Sequence, residues 1–115
     1  MKPQEDLAAE LSAALHGLDE VARIVKDGRG AFEANEDRQR ALALCWMSIG
    51  SSLKHYARLS GIPQGQLPLA QPIRLRDKIA HQRLDKIDCE ILWQTSVGDA
   101  PSLLRMATRL LDQLG

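Results

Sequence analysis

Apolar residues recur at spacings of three and four along nearly the whole chain, and this periodicity points to an all-helical fold. Leu7, Leu11, Leu15, Leu18, Ala22 and Val25 make one such stripe and predict a first helix over about residues 4–26. Asp27-Gly28-Arg29-Gly30 then stops it, since a glycine just past a helix end takes a left-handed conformation at little cost. Leu42, Trp46, Ile49, Leu53 and Tyr56 predict a second helix over about 36–60, with Asn35 as N-cap and Glu36 and Asp37 at the positive end of its dipole. Gly50 and Ser51 are small enough to admit another helix closely.

Residues 61–70 carry Pro63, Pro68 and two glycines and read as a loop. A third helix is expected from near Pro72 to about Leu84. Asp88 is the expected N-cap of a fourth, with Glu90 in its first turn and Ile87 and Leu92 at the staple positions. Gly98 and Asp99 break the pattern. Pro101 begins a fifth helix whose wide apolar face runs through Leu103, Leu104, Ala107, Leu110, Leu111 and Leu114. The expectation is one domain over residues 1–115, an antiparallel bundle of about five helices. Its broad apolar faces suggest spare surface for a second copy, hence a homodimer.

Composition agrees. Hydrophobic residues make up 44% of 115, enough for a core, and the only aromatic residues are Phe32, Trp46, Tyr56 and Trp93. The core must therefore be mainly Leu, Ala, Ile and Val, with both tryptophans expected inside it. No apolar run is long enough to cross a bilayer, and the start of the chain lacks signal-peptide order. Cys45 and Cys89 lie in apolar helical stretches and read as reduced packing thiols. A cytoplasmic location is expected.

Formal net charge is zero, which argues against a protein that coats DNA. The distribution is uneven. Residues 1–36 carry a net −4, whereas residues 73–86 carry a net +3. That basic segment contains Arg76-Asp77-Lys78-Ile79-Ala80-His81, an arginine followed five positions later by a histidine. His16 and His55 lie on other helices with no ligand spacing around them, so they read as surface histidines and no metal site is expected.

The Arg76–His81 segment resembles the motif of the HEPN superfamily: arginine, usually a polar residue, then histidine a few positions on. Asp37-Arg38-Gln39-Arg40-Ala41-Leu42 followed by Ile49-Gly50 resembles the second helix of HepT-like toxins. Ile87-Asp88 followed by Leu92-Trp93, and later Pro101-x-Leu103, resembles the stretch after their motif. The resemblance covers roughly residues 35–112. It implies a metal-independent ribonuclease without cofactor, paired in a toxin–antitoxin operon with a minimal nucleotidyltransferase and acting as a dimer with two motifs facing one cleft. The alternative it implies is a non-catalytic interaction or nucleotide-binding subunit of such an enzyme.

On the ribonuclease reading, the ribose 2′-hydroxyl is the nucleophile. His81 is general acid/base, Arg76 clamps the phosphate, Asp77 is the supporting polar residue, and Arg74, Lys78 and Arg83 guide the RNA backbone. Five residues rotate a helix by roughly 140°, so Arg76 and His81 share no narrow face. They converge only if the arginine reaches around or the helix ends near His81. HepT-like toxins often carry a tyrosine two residues after the histidine, where the partner enzyme adds AMP. This chain has Arg83 there, and its only tyrosine is Tyr56, which excludes modification at the usual position.

Overall fold

A computed structural model describes residues 3–63, 70–81 and 88–114. Every regular element among them is helical: α1 (Pro3–Val25), α2 (Arg29–Glu33), α3 (Glu36–Ser60), α4 (Ala70–Ala80), α5 (Cys89–Gln94), a π-helical stretch (Thr95–Asp99) and α6 (Ala100–Leu114). No helix among the described residues is long and apolar enough to cross a membrane.

The ends of α3 follow from single residues. The Asn35 side chain accepts from the Arg38 backbone N–H at 3.1 Å, satisfying one of the helix's unpaired donors. At the other end Gly61 sits at φ 77°, ψ 9°. Its N–H reaches the Arg58 carbonyl at 3.4 Å and that of Ile62 reaches Ala57 at 3.0 Å, the paired bonds of a Schellman cap. Asp88 caps α5 by accepting from Glu90 and Ile91 at 2.9 and 3.3 Å. Ile87, its expected staple partner, lies outside the described residues.

α1 and α3 run antiparallel, because Glu10 meets His55, Gly17 meets Ile49 and Asp27 meets Arg38. The expected α3 stripe is buried as a whole: Leu42, Trp46, Ile49, Leu53 and Tyr56 all lie in the core. The α1 stripe needs correction. Leu11 and Leu18 are buried, but the core continues through Ala14 and Val21, and Ala22 is exposed. α3 lies so close to α1 that Ile49 fills the space a side chain at Gly17 would need; a Cβ there would stand 2.6 Å from Ile49 Cγ1.

Two further expectations are revised. The third long helix begins at Ala70, two residues before Pro72, and its expected end at Leu84 lies outside the described residues. Gly98 and Asp99 do not break the chain. α5 passes into α6 through five residues of wider helix, Thr95–Asp99, with Gly98 at ordinary negative φ. The wider turn directs Ser96 inward. Its hydroxyl donates to the Leu92 carbonyl at 2.7 Å and accepts from Trp46 Nε1 at 2.8 Å. A fully buried indole N–H thereby finds its acceptor, and local back-bonding by serine is a known companion of such helix distortions. Trp93, expected in the core, is half-buried and tilts against Phe32 with ring centroids 5.3 Å apart.

Cys45 and Cys89 are free and partly buried. Burial pushes both thiols up, helped by Glu20 at Cys45 and by Asp88 and then Glu33 at Cys89, while Arg23 works against it at Cys45. Both should react with a thiol-specific reagent at pH 7.5 more slowly than free cysteine does, because the thiolate is the reacting form. Labelling of the folded chain as fast as of the urea-unfolded chain would contradict this.

Candidate functional site

α4 packs on α3 at Gly50, where a Cβ would lie 2.7 Å from the Pro72 carbonyl oxygen and clash with Cβ and Cγ of Arg76. This approach lays the stem of Arg76 across α3. Arg76 Nε donates to Ser51 Oγ at 3.1 Å, and one terminal nitrogen donates to Asp77 Oδ1 at 3.1 Å. Asp77 also receives Lys54 Nζ at 3.3 Å. These cations hold the Asp77 carboxyl below its usual range, the Arg76 hydrogen bond contributing most and partial burial opposing it. Asp77 thus bridges Lys54 on α3 and Arg76 on α4.

Beside this cluster lies an open cleft of about 520 Å³. α4 contributes Arg76, α1 contributes Glu10, and α3 contributes Ser51, Ser52, Lys54, His55 and Arg58. Three permanent cations face one carboxylate there. His55 Nδ1 and Glu10 Oε2 are 2.9 Å apart, which orients the ring and leaves Nε2 for another contact.

The expected site residues are placed as follows. Arg76 is two-thirds buried and lines the cleft. His81 is exposed one residue beyond the end of α4, its backbone N–H bonded to the Asp77 carbonyl at 3.1 Å. It is not among the residues lining the cleft that holds Arg76. Arg74 and Lys78 are exposed on α4. Arg83 lies outside the described residues. Among the described residues no group of three or more His, Cys, Asp or Glu side chains is placed to hold a metal ion.

His55, Glu10 and Arg58 are cleft residues that the sequence reading passed over. The available signal was a polar stripe on α3: Lys54, His55 and Arg58 lie three, four and seven positions after Ser51, opposite the apolar stripe.

A second concavity, apolar and of about 320 Å³, lies where α1 meets the π-helical stretch and α6. Leu18, Ala22 and Val25 form one wall and Val97, Pro101 and Leu104 the other. Val97 and Leu104 are each 42% exposed.

The chain matches no protein-family model, no curated protein and no solved structure.

Proposed function

We propose that this chain is a metal-independent endoribonuclease of the HEPN, HepT-like kind, the toxin of a pair whose antitoxin is a minimal nucleotidyltransferase. The observation that carries the reading is Arg76 lining a cation-rich cleft, with His81 solvent-exposed just past the end of the same helix. The His81 N–H still makes the helical bond to the Asp77 carbonyl, so the roughly 140° offset of five helical residues holds, and the two side chains converge only if the arginine reaches around or a second copy brings its own motif to the cleft. In the proposed reaction the 2′-oxygen bonds to phosphorus and the bond to the 5′-oxygen breaks. His81 takes the 2′-hydroxyl proton or protonates the departing 5′-oxygen, and Arg76 neutralises charge on the non-bridging oxygens. On this reading the exposed Arg74 and Lys78, together with Arg83, guide the RNA backbone. A homodimer in the cytoplasm, with two motifs facing one cleft, completes the reading; the uncovered apolar groove supplies surface for such an association.

The test is cleavage of single-stranded RNA in the presence of EDTA. Products should carry 2′,3′-cyclic phosphate, and RNA with a deoxyribose at the cleavage site should survive. His81→Ala should lower the rate by about 10²–10⁴-fold, the range for loss of a general acid/base. The fold should persist because the side chain is exposed. Undiminished cleavage by that variant would overturn the assignment.

A second reading, a non-catalytic subunit partnering a nucleotidyltransferase, is favoured by one observation. His81 stays out of the cleft that holds Arg76, and Arg76 is engaged by Ser51 and Asp77. It predicts a stable complex with a minimal nucleotidyltransferase and no growth arrest when the chain is expressed alone.

A further inference from the structure

We propose that the cleft between α1, α3 and α4 is a phosphate-ester binding site, in which Arg58, Lys54 and Arg76 supply charge and the Glu10-oriented His55 supplies the directional contact. The site shares Arg76 with the proposed nuclease reaction but does not require His81 to cut RNA.

The argument starts on α3. Lys54 and Arg58 are four residues apart on one helical face, where like charges repel. Arg76 brings a third cation from α4 into the same cleft. Asp77 compensates Lys54 and Arg76 from one side. The Arg58 guanidinium has no ion-pair or hydrogen-bond partner among the described residues, although it lines the cleft. Glu10, the one carboxylate of the lining, is turned to His55 Nδ1. The charge left facing the opening is therefore positive, and an anion between Arg58, Lys54 and Arg76 would relieve the repulsion.

Donor geometry narrows the anion. Arg76 uses two of its five N–H groups on Ser51 and Asp77, which leaves others to fork onto neighbouring oxygens of a tetrahedral group. Ser51 and Ser52 add hydroxyls, which both donate and accept. With Nδ1 held by Glu10, His55 meets a ligand through Nε2. That nitrogen donates to a phosphate oxygen when the ring is protonated and accepts from a ligand hydroxyl when it is neutral. Cations, hydroxyls and an imidazole in a volume of about 520 Å³ fit a phosphate ester together with its adjoining sugar better than a bare small anion. Phosphate esters of this kind come as free nucleotides or as the backbone of RNA.

The test uses the full chain and three probes: inorganic pyrophosphate, AMP and a short single-stranded oligoribonucleotide. Binding is followed by NMR on the histidine ring protons and by calorimetry. The chain has three histidines, so His16, which pairs with Glu20 on α1, is an internal reference. At least one probe should shift His55 and leave His16 unmoved, with affinity falling as salt rises. AMP binding identifies a nucleotide site; binding of the oligoribonucleotide alone identifies the RNA backbone as the source. Arg58→Gln should weaken binding about tenfold, the usual loss for one charge-assisted hydrogen bond, without changing the far-UV spectrum. His55→Gln should weaken it as well. No binding by any probe, binding indifferent to both variants, or equal shifts at His16 and His55 would each overturn the proposal. Neither variant alters Arg76 or His81, so loss of binding here and loss of RNA cleavage on His81→Ala are separate results.

Discussion

Replacing Trp46 with alanine is expected to destabilise the fold by about 3–5 kcal/mol, the range for removing a large aromatic side chain from a packed interior. Trp46 is the largest of the fully buried side chains and lies at 0% exposure on α3. Its truncation removes more than apolar contact. The indole N–H is the only donor to Ser96 Oγ among the described residues, and Ser96 sits at 3% exposure on the opposite wall. Ser96 itself remains tied to the Leu92 carbonyl, so the π-helical stretch keeps one of its two anchors. Trp46→Phe separates the two contributions. It retains most of the ring volume and loses the hydrogen bond, for an expected cost of about 0.5–1.5 kcal/mol from the bond plus that of a small cavity. Urea unfolding followed by far-UV circular dichroism measures both. A Trp46→Ala midpoint within error of the parent would mean that α3 and the α5–α6 rod are not joined through this residue.

The same pair of residues shows where sequence patterning is informative. Helical periodicity identified the five large buried side chains of α3, since a long amphipathic helix repeats its signal over seven turns, but not the buried Ala43 and Ala57 beside them. Caps at Asn35 and Asp88 were legible for a related reason: capping is local chemistry, one side chain to a backbone N–H two or three residues away. Gly50 was legible too, as a small residue within an apolar stripe. Gly98 and Asp99 were misleading. Glycine and aspartate disfavour helix interiors by up to about 1 kcal/mol, and tertiary contact through Ser96 outweighs that. The short α2 was missed because five residues hold too little pattern to register.

The candidate site divides along the same line. Arg76 was found because it belongs to a contiguous segment, and Asp77 because it is the next residue. Glu10 and His55 are 45 positions apart and meet only through the antiparallel pairing of α1 with α3. No spacing rule within one helix reports such a pair. Arg58 was masked by the ordinariness of a surface arginine on a charged face. Its meaning depends on the cleft that α4 creates by crossing α3 at Gly50.

That crossing carries the second large effect. Gly50→Leu should detach α4 from its seat on α3 and cost roughly 1–3 kcal/mol or more, as overpacking does. The obstruction is rigid. The first added carbon meets the Pro72 carbonyl oxygen, a backbone atom, at 2.7 Å and the Cβ of Arg76, which moves only with its helix. Neither neighbour yields by rotating a side chain. Helix propensity works the other way, since glycine is about 1 kcal/mol worse than alanine in a helix interior, so a stability gain would arise if the space were open. Gly98→Ala provides that comparison: a Cβ there meets nothing within 4 Å. It should be neutral or stabilising by about 0.4–1 kcal/mol. The Gly50 variant should also separate Arg76 from Ser51 and so dismantle the cleft, losing phosphate-ester binding and RNA cleavage together while α1, α3 and α6 remain helical. Amide hydrogen exchange resolves this, with loss of protection confined to residues 70–80. If Gly50→Leu is as stable as the parent and α4 stays protected, the close crossing of α3 and α4 is wrong, and the cleft built on it fails with it.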